Sequence, residues 1–290
     1  MAPEQTISTL RAGDEVRGVF ACVRKDRLST RTGSPYLALE LRDRTGSVPA
    51  RAFRDADTLS GRFERGDLVQ VVGRVERFRE DLVVEVVDVA RVAPGDEGAD
   101  PAAFLPTAYR DLEELDGFLE HLAREVFDPG YRRLLDGLLG DDAFRSDLRR
   151  APCTRGGHHA YLGGLLEHTV AVTTLARELC DLHRRLNSDL LLSAAIVHDI
   201  GRIREFSLGA EIGLSEEGRL LGHVALGQQM LDERFAAVSL DDERRLALLH
   251  CVLTHHGAPS GRFGSPEAAA LYRVNALDAS VKAVLEGGSE

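Results

Sequence analysis

The 290-residue chain has no tryptophan, only two methionines and few aromatic residues, 6% in all. Its cysteines are scattered and form no CxxC pair, which indicates reduced thiols in a cytoplasmic protein; they are Cys22, Cys153, Cys180 and Cys251. No run of about 18 apolar residues is present, so we expect no membrane span. The N-terminus has neither the basic start nor the apolar block of a secretory signal.

The net charge of −11 is unevenly distributed along the chain. Residues 1–95 carry 16 Lys+Arg and 15 Asp+Glu, a net charge of +1, so the remainder carries −12. An acidic body of this kind argues against a protein that coats nucleic acid by neutralising phosphates. It is compatible with a local basic groove, or with bound cations that reverse the local field.

The first 93 residues predict β-structure. Five segments are rich in Val, Leu and Phe and partly alternate in polarity; they are residues 14–23, 36–43, 47–53, 68–78 and 82–92. A polar stretch at residues 55–64 predicts one helix between the third and fourth strands. This order is typical of an OB-fold barrel, and a five-stranded SH3-like barrel is the main alternative.

After these strands the sequence predicts a linker and then helices. Residues 94–106 are dense in Pro, Gly and acidic residues and form the predicted linker. Helical periodicity follows in residues 111–127, 131–139, 163–186, 190–199, 220–235 and 241–255. A last helix is predicted to start at Ser265 as N-cap, with Pro266 at its first helical position. We therefore predict two domains, an all-β OB-fold barrel at residues 1–93 and an all-α helical bundle at residues 107–290.

No histidine lies in the predicted barrel. The segment LLLSAAIVHDIGR at residues 190–202 indicates a role for the histidines, because its apolar run ends in an imidazole and a carboxylate. A buried helix can end at a glycine for capping alone, but it does not need His198 and Asp199 before Gly201. Imidazole and carboxylate groups from five successive predicted helices suit divalent transition metals. Their number exceeds one tetrahedral site and fits two metals that share a carboxylate, an arrangement that hydrolyses phosphate esters.

These ligand-type residues follow one another in a recognisable order: His168, His198 with Asp199, His223, His255 and Asp278. They lie in the blocks HHAYLGGLLEHT, HDIGRIREF, EGRLLGHVALG, LTHHG and LDA. In this order the chain resembles the HD-domain superfamily of metal-dependent phosphohydrolases. Together with the preceding barrel, the blocks resemble the bacterial YhaM-type 3′→5′ exoribonucleases, over residues 12–285 or so.

The resemblance implies a role for each ligand-type residue. Asp199 would bridge two divalent metals, His168, His198 and Asp278 would complete one of them, and His223 and His255 the other. We expect Mn²⁺, with Zn²⁺, Fe²⁺, Co²⁺ and Mg²⁺ as alternatives. Arg202 stands where the family has lysine, and we expect it to hold a substrate phosphate and to be catalytic together with Asp199. Further residues expected to bind substrate are His158, His159, Arg219 and His256.

The predicted barrel is expected to bind single-stranded RNA. OB-folds bind single strands on the second and third strands and on neighbouring loops, and the predicted first loop, residues 24–35, is basic. Lys25, Arg27 and Arg31 are its expected phosphate contacts, and Tyr36 and Phe53 offer stacking surfaces. A place for Phe53 in the barrel core is the alternative. Single-stranded DNA as a second ligand and self-association stay open, and no membrane contact is expected.

Two other functions remain open at this point. One is an HD-domain nucleotide or cyclic-nucleotide phosphohydrolase, since such sites hydrolyse several phosphate esters. The other is an OB-fold nucleic-acid-binding regulator with a vestigial HD site, against which the complete ligand set speaks.

Overall fold

The computed structural model describes residues 6–30, 32–79, 81–93, 96, 100 and 103–287. It divides into two compact units, Met1–Pro106 with Leu208–Gly213, and Thr107–Ser207 with Leu214–Glu290. Most of the predicted linker, residues 94–106, lies outside the described residues. None of the described helices has the length and apolar character that a bilayer-crossing segment needs.

The first unit is a closed five-stranded barrel with the strand order β1-β2-β3-β5-β4. Its strands are β1 (Glu15–Ser29), β2 (Pro35–Asp43), β3 (Gly46–Ala52), β4 (Leu68–Phe78) and β5 (Asp81–Arg91). A short 3-10 helix (Ile7–Thr9) precedes them, and α1 (Ala56–Ser60) lies between β3 and β4. The parallel pairing of β3 with β5 closes the barrel, and the predicted all-β OB-fold is confirmed.

Apolar side chains at alternating positions of the strands fill the interior of the barrel. Along β2 the buried residues are Leu37, Leu39 and Leu41, with partly exposed residues between them, because successive side chains of a strand point to opposite faces. The β4–β5 ladder shifts register at Gly73, where a Cβ atom would lie 2.4 Å from the Glu85 carbonyl oxygen. Glycine is therefore required at this bulge.

The predicted basic loop is much shorter than expected, since β1 continues to Ser29 and β2 begins at Pro35. Lys25 lies on β1, and only 10% of its side chain is exposed. Its Nζ donates to the carbonyl oxygens of Ser60 (2.8 Å) and Phe63 (2.5 Å), and pairs with Glu64. The ammonium thus supplies hydrogen bonds to backbone carbonyls at and just after the end of α1, where carbonyls have no N–H donor within the helix.

The second unit consists of helices, as predicted. They are α2 (Leu112–Arg124), α3 (Pro129–Leu139), α4 (Asp142–Arg150), α5 (Gly164–Leu182), α6 (Ser188–Val197), α7 (Arg202–Glu205), α8 (Glu216–Val238), α9 (Asp242–Thr254) and α10 (Pro266–Leu285). Most begin at an Asp, Asn or Ser whose side chain accepts backbone N–H groups of the first turn, and the predicted cap at Ser265 is confirmed. Each such cap contributes about 1 kcal/mol.

Some elements after the barrel were not predicted from the sequence, among them α4, the short α7 and two short strands. Helix α4 buries only Phe144 and Leu148, too few apolar positions to mark a helix in the sequence. The short strands β6 (Phe206–Leu208) and β7 (Ile212–Leu214) pair in a two-stranded sheet too small to give a β-pattern. The bundle core otherwise comes from the expected segments, and every residue of α6 from Leu190 to Val197 is buried.

The position of Lys25 gives a first prediction. Lys25→Met should lower the free energy of unfolding of the barrel by about 1–3 kcal/mol, because two partly buried carbonyls lose a charged donor. Arg24→Met is the matched control, since the Arg24 side chain is 66% exposed and its one ion pair with a described residue is with Asp26. It should cost less than about 0.5 kcal/mol. Hydrogen exchange of barrel amides in urea measures both, and equal losses in the two variants would contradict the role of Lys25.

Candidate metal centre

The end of α6 carries the two residues on which the site is built. The apolar helix places His198 and Asp199 in the interior of the unit, each 1% exposed. Gly201 follows with a φ of −62°, so it does not serve as a left-handed helix cap. A Cβ atom at Gly201 would lie 1.9 Å from the His223 carbonyl oxygen. The glycine is needed because the backbone of α8 passes directly against it.

Imidazole nitrogens face both oxygens of the Asp199 carboxylate. Oδ1 lies 3.3 Å from Nε2 of His223 and 3.2 Å from Nε2 of His255. Oδ2 lies 3.8 Å from Nε2 of His168 and 3.7 Å from Nε2 of His198. The structure thus places Asp199 between His168 and His198 on one side and His223 and His255 on the other. That Asp199 bridges two metals stays a prediction.

The other ring nitrogen, Nδ1, is occupied in all four of these histidines. In His198 and His255 it donates to a backbone carbonyl three residues earlier, Ala195 (2.8 Å) and Val252 (2.5 Å). In His168 and His223 it faces a carboxylate, Asp278 (2.6 Å) or Glu205 (3.3 Å). These acceptors assign the hydrogen to Nδ1, and Nε2 is then the nitrogen with a lone pair for a metal.

The buried atoms between these rings fit a divalent cation. Among the described residues, Asp199 Oδ1 and His255 Nε2 are both buried without a hydrogen-bond partner. The Nε2 atoms of His168 and His198 lie 3.3 Å apart, although both are lone-pair nitrogens. Unpaired buried polar atoms of this kind cost free energy, and a cation that accepts their lone pairs removes the cost. Imidazole nitrogen and carboxylate oxygen are also the ligand types of a divalent metal site.

Three groups of side chains in this unit have ligand atoms close enough to hold an ion. They are Asp199 with His223, His255 and His256; Cys153 with His168 and Asp199; and His159 with His168 and Asp278. His256 therefore lies with the ligands of the Oδ1 side, its Nε2 2.8 Å from that of His223. Cys153 was not found from the sequence, since a lone cysteine carries no motif.

Burial and neighbouring charges keep Asp199 and His198 in the forms that bind metals, whereas they leave the Cys153 thiol un-ionised. Burial alone would raise the pKa of Asp199, but the Arg202 guanidinium and the imidazoles of His198 and His255 hold it well below its ordinary value. Burial lowers the pKa of His198 to about 3. Burial also raises the pKa of the Cys153 thiol well above its ordinary value. At neutral pH the site therefore contains an ionised Asp199, a neutral His198 and an un-ionised Cys153.

Arg202 is largely buried beside the carboxylates of the site. Its Nε donates to Asp199 Oδ2 at 2.7 Å, and its Nη1 donates to Glu205 Oε2 at 3.3 Å. Only 9% of the residue is exposed. In this structure Arg202 neutralises the carboxylates, and its contact with a substrate phosphate stays a prediction.

Asp278 contacts His168 at Nδ1, the nitrogen that does not face Asp199. The same Asp278 oxygen lies 3.1 Å from Nε2 of His159. His159 is 1% exposed and has a φ of +52°. Its Nδ1 is hydrogen-bonded to the Tyr161 hydroxyl, which in turn donates to the Glu167 carboxylate. His159 thus lies behind Asp278, whereas His158 is half-buried with its ring 6.1 Å from that of His168. His256 and Arg219 are exposed.

The barrel carries a separate candidate groove of its own. Tyr36 and Phe53 stack with ring centroids 5.3 Å apart, and Phe53 is 48% exposed, so it is not a core residue. Phe20, 3% exposed, takes the core position. A cleft of about 290 Å³ opens beside Tyr36; Arg24, Leu28, Glu40, Ser47, Pro49 and Arg51 also line it.

The expected phosphate contacts of the barrel are placed differently from one another. Lys25 is bonded inside the barrel, as described above. Arg27 is 61% exposed and pairs with Asp57 at 2.8 Å. Arg31 lies outside the described residues. Arg51, whose guanidinium lies 4.3 Å above the Phe78 ring, also lines the cleft and adds positive charge beside the aromatic pair.

Comparison with protein families separates the same two parts of the chain. Residues 165–283 match the HD domain, and residues 16–90 match the OB-fold nucleic acid binding domain. The second OB-fold domain of replication protein A from Methanococcus maripaludis aligns with 32% of this chain and 98% of its own length, at 21% identity and a TM-score of 0.26.

Curated relatives extend the similarity over most of the chain. The 3′-5′ exoribonuclease YhaM of Oceanobacillus iheyensis is 29% identical over 279 residues, which cover 93% of this chain and 85% of the relative. The proteins of the same name from Listeria welshimeri and Bacillus subtilis are each 28% identical over 255 residues, or 86% of this chain and 80% of the relative. The resemblance inferred from the sequence blocks is confirmed.

The central position of Asp199 gives a second prediction. Asp199→Asn should reduce the amount of bound divalent metal and lower the rate of hydrolysis of a model phosphodiester more than about 100-fold. Loss of a residue that merely hydrogen-bonds to a metal ligand typically costs about 10- to 100-fold, and Asp199 is predicted to be a ligand itself. His223→Ala should weaken metal binding on the Oδ1 side more than on the Oδ2 side. The control is His183→Ala, an exposed histidine outside the site. Metal analysis after dialysis decides, and an Asp199→Asn protein with wild-type metal content would refute the assignment.

Proposed function

We propose that this chain, an OB-fold domain followed by an HD domain and similar throughout to YhaM-type enzymes, is a metal-dependent 3′→5′ exoribonuclease. The observation that carries the proposal is the buried Asp199 carboxylate with Nε2 atoms facing both of its oxygens. A carboxylate with ligands on two sides suits the shared position between two ions in sites that cleave phosphate esters. The similarity to exoribonucleases over most of the chain supports RNA as the substrate.

The ligands of the two proposed ions follow from the two sides of Asp199. His168 and His198 would bind one ion with Oδ2, and His223 and His255 the other with Oδ1, joined there by His256. Asp278 would join the first set, as the resemblance implies, or orient His168 through Nδ1. Mn²⁺ is the proposed ion. Bound divalent ions supply Lewis acidity toward a phosphoryl oxygen and lower the pKa of water.

The protein's own side chains prepare the site for this chemistry. Arg202 holds Asp199 ionised, so that the carboxylate can serve two ions. The glycines at positions 201 and 218 let backbones meet, which keeps His223 beside Asp199. Arg219 and the half-buried His158 are the proposed contacts for substrate phosphates, since they are the more accessible basic groups among those predicted from the sequence. His256, also predicted to bind substrate, lies with the ligands of the Oδ1 side and is proposed to act there.

The cleft of the barrel is the proposed binding surface for a single strand of RNA. The Tyr36–Phe53 pair presents an aromatic surface on which bases can stack, and such stacking contributes about 1–3 kcal/mol per base. Arg24 and Arg51 line the same cleft and would neutralise phosphates. Single-stranded DNA offers the same bases and phosphates, so it is a second candidate ligand of this surface.

We place the enzyme in the cytoplasm. All four of its cysteines are unpaired, and three of them are buried, as is usual for a protein kept in a reducing compartment.

The activity gives a third prediction. With Mn²⁺ and 5′-labelled single-stranded RNA, the purified protein should produce a ladder of products that shorten from the 3′ end. The same strand with a blocked 3′ terminus should be degraded more slowly, and the Asp199→Asn protein should leave it intact. A matching DNA strand and a set of nucleotides and cyclic nucleotides complete the panel. Turnover of nucleotides with intact RNA would replace the proposal by the nucleotide phosphohydrolase, and binding without any hydrolysis by the regulator.

The cleft gives a fourth prediction. Tyr36→Ala with Phe53→Ala should raise the Kd for a long RNA strand by about one to two powers of ten, as expected when a stacked base loses 1–3 kcal/mol. Hydrolysis of a short model phosphodiester should be unchanged, because no predicted metal ligand lies in the barrel. Phe127→Ala is the control, since Phe127 is 81% exposed and lies outside the barrel. If the double variant binds RNA normally but changes its oligomeric state, the cleft is an assembly surface instead.

A further inference from the structure

Glu205 lies at the end of α7, and one of its carboxylate oxygens contacts two atoms of His223. Helix α8 is interrupted at Gly222, where φ is +71° and ψ is 163°, so His223 starts the second helical segment. The first N–H groups of a helical segment have no acceptor within it. Glu205 Oε1 accepts from the His223 N–H at 3.1 Å and lies 3.3 Å from Nδ1 of the same residue. One oxygen therefore fixes both the backbone and the ring of a predicted metal ligand.

The second oxygen of Glu205 continues toward Asp199. Oε2 accepts from Nη1 of Arg202 at 3.3 Å, and Nε of Arg202 donates to Asp199 at 2.7 Å. Asp199 and His223 are thus linked twice, once directly across 3.3 Å and once through Arg202 and Glu205. Glu205 is 8% exposed, so water competes little for these contacts.

Two glycines hold the backbones of Glu205 and His223 at fixed positions. A Cβ atom at Gly218 would lie 2.1 Å from the Glu205 carbonyl oxygen, and one at Gly201 would lie 1.9 Å from the His223 carbonyl oxygen. Ser215 also donates its N–H to the Glu205 carbonyl at 2.9 Å. The Glu205 backbone is therefore held by the close packing of α7 against α8, which fixes the position of its carboxylate.

From this geometry we propose that Glu205 is a positioning residue that acts through His223. It accepts the Nδ1 hydrogen, so that Nε2 keeps its lone pair and points at Asp199 Oδ1. The inference rests on the proposed metal-dependent function and adds a residue to its machinery. Carboxylates in this position behind a histidine ligand commonly change metal affinity by about 10- to 100-fold.

The test compares Glu205→Ala, Glu205→Gln and a control in the full chain. Glutamine keeps an oxygen acceptor for His223, whereas alanine has none. The control is Glu217→Ala, an exposed glutamate in the first turn of α8. Titration with Co²⁺, followed by its absorption spectrum, should show about 10- to 100-fold weaker binding of one ion in Glu205→Ala, most of it recovered in Glu205→Gln. Glu217→Ala should bind Co²⁺ like the wild type.

Two further measurements separate positioning from stability. The ¹⁵N chemical shifts of His223 should show hydrogen on Nδ1 in the wild type and in Glu205→Gln, and a mixture of tautomers in Glu205→Ala. With RNA, kcat should fall in Glu205→Ala while KM stays near the wild-type value. Wild-type Co²⁺ affinity in Glu205→Ala would overturn the proposal. So would a folded Glu205→Gln protein that binds Co²⁺ about 10- to 100-fold more weakly than the wild type. This comparison with the wild type decides the question if Glu205→Ala does not fold.

The Co²⁺ titration does not use a substrate, so the two proposals can fail separately. A wild-type protein that binds ions but leaves RNA intact would refute the exoribonuclease and leave the role of Glu205 standing. Wild-type affinity in Glu205→Ala together with active RNA degradation would refute Glu205 alone.

Discussion

The rest of the second unit depends on one buried negative charge, the carboxylate of Asp199. Removing a carboxylate from water costs several kcal/mol unless charges and hydrogen bonds compensate it. Arg202 supplies one positive charge at 2.7 Å, and four imidazole nitrogens lie within 3.8 Å of the two oxygens. The apolar body of α6 offsets part of the cost, because all of its residues from Leu190 to Val197 are buried. A greasy helix that ends in a His-Asp pair is therefore a means of carrying a charge into the interior.

The four histidines around this charge are oriented in two different ways. His198 and His255 stand at helix ends, and each gives its Nδ1 hydrogen to a carbonyl of its own helix, three residues back. His168 and His223 depend on carboxylates that are distant in sequence, at positions 278 and 205. The first pair is oriented as soon as its helix forms. The second pair is oriented only when helices have packed, so this half of the site requires the complete fold.

This difference also explains how much could be predicted from the sequence. Most of the strands and helices and the cap at Ser265 follow from local periodicity and were predicted, whereas α4, α7 and the two short strands were not. The histidines that lie around Asp199 were also singled out from the sequence. Lys25 was expected to bind substrate because its neighbours in sequence are basic, but its partners lie 35 to 39 positions away. Glu205 and Cys153 were missed for the same reason, since their contacts are made between elements and leave no spacing pattern.

The close approach at Gly201 has a consequence for how related sequences can vary. There is room at this position for a hydrogen atom only, because the His223 carbonyl oxygen occupies the place of a Cβ. A larger residue would force α8 away from the end of α6, and His223 would leave with it. Positions 201 and 223 therefore form one unit of sequence variation, and a chain that has lost this glycine should be expected to have lost the histidine as a ligand as well.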